Sequence, residues 1–131
     1  KIALGHHFND VIETSLLNII YTGRFSGMPP KLRSDNFPGM ELIRPLYMVK
    51  EEDIKAWSRY NNLEFIDCAC AISKKKNDSK RKYVKELIQE LVKDNVNADI
   101  NIFRSLENVN INTLNGYQKD NEKFTFNDLY K

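Results

Sequence analysis

The 131-residue sequence predicts an α/β fold, half of an open sheet continued by a helical extension. Three observations carry that reading. A short apolar stretch at the start hands over, at a glycine, to a segment with helical apolar spacing. Extended and helical patterns then alternate as far as Cys70. From Lys74 onward the patterns are helical, and the last stretch is asparagine-rich and polar.

Taken in order, Lys1 to His6 reads as a short buried strand. A helix is expected from about Asp10 to Thr22, with Ile12, Leu16, Ile19 and Ile20 recurring on one face. Its stop is Gly23, a residue free to adopt the left-handed backbone that ends many helices. Between Gly23 and Gly39 lie three of the five glycines and three of the four prolines, so this segment reads as a loop long enough to be a functional flap. Leu42 to Met48 looks extended, with Pro45 pointing to an edge or irregular strand. Glu51, Glu52 and Asp53 load the start of a second helix with the negative charge its dipole favours, and Ile54 and Trp57 supply its inward face. Glu64 to Cys70 reads as a second short strand. Ser79 is the expected cap of a third helix, whose apolar stripe is Val84, Leu87, Ile88, Leu91 and Val92. A weaker fourth helix is expected from Ala98 to Val109. The tail beyond it either stays free or docks through Phe124, Phe126 and Leu129.

At 41% hydrophobic and 29% charged, the chain fits one soluble globular domain. No stretch nears the roughly 18 apolar residues that span a bilayer, and no signal peptide opens the chain. It opens without a Met and inside a strand, so it is expected to be a piece of a longer protein. Net charge is only +2, yet Lys74 to Lys82 holds six basic residues and one acid in nine positions. That run is either a solvated segment or a phosphate-contacting patch. Cys68 and Cys70 share one face of an extended strand about 7 Å apart, too far for an easy disulfide. A reduced, cytoplasmic setting is expected, where neighbouring thiols more often serve metal or redox chemistry. The plain alternative is two small hydrophobes in a strand.

The stretch LGHHFNDVIET concentrates polar chemistry at the first strand–helix junction. Asp10 and Glu13 have the spacing of a capping box. They also sit beyond the carboxyl end of a strand, where open α/β sheets bind nucleotides. Gly5 lets a ligand approach the backbone, the helix start favours an anion, and an acid there suits magnesium among phosphate oxygens. His6 and His7 are adjacent, so in extended chain only one of them faces a ligand. A zinc site lacks further ligands at good spacing.

GHHFNDVIET, LLNIIYTGRFSGMPPKL, LIRPLYMVKEEDI and FIDCACAIS, in that order, resemble successive blocks of the PP-loop ATPases that modify tRNA. Among these the tRNA 2-thiocytidine synthetase family is nearest, and the likeness runs from Lys1 to about Leu91. It implies a partial doubly wound, adenine nucleotide alpha hydrolase-like sheet. Residues 1–72 would be the C-terminal half of the ATP-binding α/β domain, 73–109 a basic helical extension and 110–131 a polar tail. The implied activity is a transferase reaction of tRNA thiolation: ATP adenylates a cytidine carbonyl, pyrophosphate leaves, and sulfur displaces AMP.

The resemblance also assigns residues. Gly5, His6 and His7 border the nucleotide, Asp10 is the catalytic acid near phosphates and magnesium, and Glu13 and Arg44 join the ATP site. Where relatives commonly carry a further Asp, this chain has Asn9. The family's iron–sulfur cluster takes two cysteines from an upstream C-x-x-C and a third near Cys68; the pattern here is C-x-C, which makes Cys70 the other candidate. The phosphate-gripping SGGxDS loop is expected before Lys1, so this segment alone is expected to be inactive. Lys80, Arg81, Lys82 and Lys85 are expected to bind RNA. The partners implied are tRNA and a sulfur donor. A homodimer is expected as well, because Ile2, Leu4, Ile12, Leu16 and Trp57 look in need of a covering surface. Two rival readings stand beside this one. One is a related PP-loop ligase joining lysine to a tRNA cytidine, which needs no cluster. The other is a non-catalytic RNA-binding module using only the basic helix.

Overall fold

The computed structural model describes residues 1–65 and 74–130, with side chains from 79 onward in the second stretch. Strand β1 (Ile2–Ala3) leads into helix α1 (Phe8–Thr22), followed by β2 (Lys31–Arg33), β3 (Glu41–Ile43), α2 (Glu51–Tyr60), α3 (Lys74–Asp94) and α4 (Ala98–Ser105). A 3-10 turn at Ile111–Thr113 precedes β4 (Gly116–Lys119), β5 (Glu122–Thr125) and α5 (Phe126–Leu129). The class is the α/β one expected. Among the described residues no helix is long and apolar enough to cross a membrane.

The first sheet has the order β1-β3-β2. β1 and β3 are parallel, Ile2 facing Leu42 and Ala3 facing Ile43, while β2 runs antiparallel with Leu32 opposite Leu42. The parallel pair sends both carboxyl ends to one side, so α1 and α2 begin near each other. Two hydrogen bonds fasten these starts: Phe8 N–H donates to the Val49 carbonyl at 3.0 Å, and Glu51 N–H donates to Asn9 Oδ1 at 2.9 Å. The four leading amides of a helix have no partner within it. Asn9 satisfies one of those of α2 from 42 residues away.

The core lies between helices. Phe8, Val11 and Ile12 of α1 meet Val84 and Ile88 of α3 and Phe103 of α4, each set spaced by one helical turn or less. Phe103 stacks on Phe8 with centroids 4.9 Å apart and meets Tyr47 edge-on at 5.2 Å. Lys50 Nζ reaches Asp99 at 2.7 Å and lies 5.6 Å from the centre of the Phe8 ring, closing the start of α2 onto α4. The hydrogen bond to buried Asp99 raises the Lys50 pKa above the ordinary lysine value.

Several expectations are corrected. The first strand is two residues long and exposed, with Ile2 51% accessible, because the helices pack on one another rather than over it. Ile12 is fully buried within its own chain and needs no second copy to cover it. Trp57, expected to face inward, is 58% exposed. Extended structure from Leu42 stops at Ile43; the chain then turns, Tyr47 N–H donating to the Arg44 carbonyl at 3.1 Å and Val49 N–H to that of Leu46 at 2.9 Å. The supposed loop after Gly23 contains β2, whose Lys31 amine holds Glu41 on β3 at 2.9 Å. Ser79 does not cap α3, which begins at Lys74. The fourth helix ends at Ser105 rather than Val109.

The tail is neither free nor plainly docked. It folds into a hairpin whose turn residues Asp120 and Asn121 both have positive φ, 51° and 65°, as the right-handed twist of a two-residue turn requires. Tyr117 stacks on Phe124 across it at 4.8 Å. Gly116 has no room for a side chain, since a Cβ there would fall 2.5 Å from the Phe124 carbonyl oxygen. Gly23 ends α1 as expected, at φ 65° with its N–H on the Asn18 carbonyl. Glu64 and Phe65 form no strand. The rest of that predicted strand, with Cys68 and Cys70, lies outside the described residues.

Candidate nucleotide site at the paired helix starts

The chain leaves extended conformation at His7 (φ −119°, ψ 179°), the N-cap of α1. Asp10 is therefore the third helical residue, and its Oδ2 accepts the His7 backbone N–H at 3.0 Å while lying 3.5 Å from His7 Nε2. The capping pair is His7 with Asp10, not Asp10 with Glu13. Glu13 is released from capping and is buried, 5% exposed. Burial pushes its carboxyl pKa up, opposed by the neighbouring Arg81 and Lys85 cations.

Those cations come from α3, which packs across α1. Arg81 Nη1 lies 3.1 Å from Asp10 Oδ1 and 3.8 Å from Glu13 Oε2. One turn on, Lys85 Nζ lies 2.7 Å from Glu51 Oε2 at the start of α2, whose other oxygen holds Lys55 at 2.9 Å. The hydrogen bonds from Lys85 and Lys55 draw the Glu51 pKa down to about 2. Between the three helices opens a cleft of about 440 Å³ lined by His7, Asp10, Glu13, Glu51, Arg81, Lys82 and Lys85. Three acids face three bases around it.

The structure thus joins His7, Asp10, Glu13, Arg81, Lys82 and Lys85 in one place. Of the other expected site residues, Gly5, His6, Arg44 and Lys80 lie outside this cleft, and Cys68 and Cys70 fall outside the described residues. Arg44 donates from Nη1 to the Pro29 carbonyl and from Nε to His6 Nδ1 at 3.4 Å, and its backbone N–H holds the Pro30 carbonyl at 2.9 Å. Arg44 and His6 therefore fix the proline loop against the first turn. At Gly5 an added Cβ would meet nothing within 4 Å, so packing in this chain does not demand glycine there. Lys80 Nζ sits 4.7 Å over the Tyr21 ring, and the largely exposed Lys82 lies 3.9 Å from Glu86. Among the described residues, no three His, Cys, Asp or Glu side chains are grouped to hold a metal ion.

Two residues here, Glu51 and Asn9, carry no local sign of this placement in the sequence. Glu51 was visible only as a charge complementing the helix dipole, and Asn9 only as a departure from a familiar motif. The available signal was topological: if two strands are parallel, the first turns of the helices that follow them converge. Glu51 also makes the site sensitive to acid. Its folded pKa lies below its unfolded value, so its contribution to stability is full above about 4.5 and is lost as pH falls toward 2. Glu51→Gln should flatten the decline of melting temperature across that window. A Glu51→Gln profile that still overlays the wild type there would mean the ion pairs contribute nothing.

Comparison with known proteins adds independent findings. The model of a family described as the PP-loop domain matches residues 1–91. The chain is similar to a tRNA-cytidine(32) 2-sulfurtransferase of Coxiella burnetii (strain CbuG_Q212), 40% identical over 129 residues, covering 98% of this chain and 48% of that protein. Proteins of the same name from Pseudomonas fluorescens (strain Pf0-1) and Geobacter metallireducens are 39% and 38% identical over 109 residues, covering 83% of this chain and 39% and 42% of theirs. The chain spans about half the length, or less, of the curated relatives it matches.

Proposed function

The chain belongs to the PP-loop domain family, and from that premise we propose that it is the part of an ATP-dependent tRNA thiolase that carries Asp10 and one wall of the nucleotide site. The observation that supports this best is the cleft itself. It lies past the carboxyl ends of two parallel strands, at two helix starts, with Asp10 held in a fixed pose and Arg81, Lys82 and Lys85 along its rim. Helix starts and cations favour polyphosphate there, and the names of the relatives point to tRNA cytidine as the other substrate.

The reaction so assigned has two stages. The cytidine carbonyl oxygen attacks the α-phosphorus of ATP and pyrophosphate leaves. A sulfur nucleophile then adds at the same carbon, and AMP departs with the original oxygen. Asp10 and Glu13 hold Arg81 in place, and the Arg81 and Lys85 cations offset the negative charge of the triphosphate. Asp10 and Glu13 are hard oxygen donors of the kind magnesium takes one or two of beside substrate phosphates; the ion would supply further neutralisation. Lys80 and Lys82 are assigned to the RNA backbone, and Gly5, His6 and His7 to the nucleotide's border. Cys68 and Cys70 are the candidate cluster ligands, and no step is routed through that cluster. Residues 1–72, 73–109 and 110–131 are taken as ATP-domain portion, basic extension and tail. A sulfur-donor partner, a homodimer and a cytoplasmic setting complete the reading.

The test uses the full-length protein with ATP, tRNA and a sulfide source, followed by mass spectrometry of tRNA nucleosides. Pyrophosphate release that depends on tRNA, with 2-thiocytidine formed, is the expected result. A lysine adduct on cytidine would mark the ligase instead. Binding of tRNA with no pyrophosphate released would mark an RNA-binding module.

A further inference from the structure

We infer that Arg81 belongs to the nucleotide site as a positioning residue for Asp10, and is not a contact to RNA. The basic run at the start of α3 looks uniform in sequence, but the helix divides it. Arg81, Val84, Lys85 and Ile88 recur at the one-turn spacing that puts them on one face, and Val84 and Ile88 on that face are buried against α1. Arg81 therefore points where the core points. Its guanidinium meets Asp10 Oδ1 at 3.1 Å while the His7 backbone N–H takes Oδ2 at 3.0 Å, so each carboxylate oxygen has its own donor. A carboxylate gripped from both ends cannot rotate. The second contact, 3.8 Å to Glu13, sets positive charge beside an acid that is otherwise buried. Lys80, one residue earlier, lies over the Tyr21 ring, and Lys82, one residue later, is 78% exposed at its side chain. Neither has a carboxylate of α1 as a partner among these contacts.

The inference rests on the assignment of Asp10 to an ATP site, and deepens it. A planar, forked guanidinium fits a carboxylate in a way an ammonium does not, so loss of Arg81 frees the Asp10 side chain even where charge is kept. Partners that orient a ligand-holding carboxylate typically matter by about 10- to 100-fold in affinity or activity.

The experiment measures, in the full-length protein, the Kd for a fluorescent ATP analogue and the salt dependence of tRNA binding. Arg81→Gln should raise the nucleotide Kd by about tenfold or more and leave the slope of log K against log salt unchanged. Arg81→Lys should recover part of the nucleotide affinity. Combined with Asp10→Asn, Arg81→Gln should cost little beyond Asp10→Asn alone, because the two side chains act as one unit. Lys80→Gln is the reference for a true RNA contact and should lower the slope by about 0.7 to 0.9. The inference is overturned if Arg81→Gln lowers that slope while nucleotide affinity holds, or if it matches wild type in both. A wild-type protein that binds no nucleotide would overturn the ATP assignment along with it. Should Arg81→Gln fold poorly, Arg81→Lys decides on nucleotide affinity alone, since it keeps the charge that sets the salt slope: weakened affinity supports the inference, and wild-type affinity refutes it.

Discussion

Asp10→Ala is expected to lower tRNA-dependent pyrophosphate release by at least about 10²-fold in the full-length protein while tRNA affinity stays within about twofold. Asp10 holds the Arg81 guanidinium and the His7 N–H at the site, and losing one preorganised donor aimed at developing charge typically costs about 10² to 10³ in turnover. Without it the His7 N–H loses its acceptor, and among the described residues Arg81 keeps the 3.8 Å contact to Glu13. Asp10→Asn separates shape from charge: it keeps an oxygen for the His7 N–H but no anion for Arg81. It should fall close to the alanine variant if charge governs and close to wild type if capping does. Quenched-flow release of pyrophosphate, paired with filter binding of tRNA, makes the measurement. Equal losses in both would remove Asp10 from the phosphate chemistry.

Phe103→Ala is expected to destabilise the fold by about 3–5 kcal/mol, the range for emptying an aromatic site in a core. Phe103 is 4% exposed and is the ring at which Phe8 and Tyr47 meet, and such ring pairs add about 0.5–1.5 kcal/mol each to simple burial. Small domains hold only about 5–15 kcal/mol in all, so the loss takes a large share of the total. Because Phe8 follows His7 directly, the site should loosen as the core does. Urea unfolding followed by tyrosine and tryptophan fluorescence tests this, with Phe103→Leu expected to lose much less. A Phe103→Ala midpoint within a few tenths molar of wild type would mean the helices do not depend on that ring.

The elements with strong local signals were legible in the sequence. Gly23 stopped α1 as only a residue at ease with positive φ does, the acids before Ile54 marked the start of α2, and the Val84–Ile88–Val92 spacing marked the inner face of α3. The cap of α1 is hidden in the sequence because imidazole is not among the usual capping groups, whereas the acid three residues on is. β2 is three residues with no alternation and exists because β3 offers it an edge. Of the candidate site, the place of Asp10 at a strand–helix junction is legible in the sequence. The inward turn of Arg81 and Lys85 was legible too, since they extend the apolar stripe of α3 by one turn, but charge composition drew attention to the run as a whole. Glu51 and Asn9 depend on strand pairing at a distance, which no local pattern encodes.

The bond from Arg81 to Asp10 joins residues 71 positions apart, and that separation has a consequence in time. A ribosome adds about 5–20 residues each second, so α1 is out of the tunnel for several seconds before α3 exists to meet it. During that interval Asp10 lacks its Arg81 guanidinium, and Val11, Ile12 and Glu13 lack the α3 side chains that pack on them. Long-range contacts of this kind close late and slow folding as a whole. Until the basic helix emerges, the nascent chain therefore carries α1 without the side chains that neutralise and cover this face.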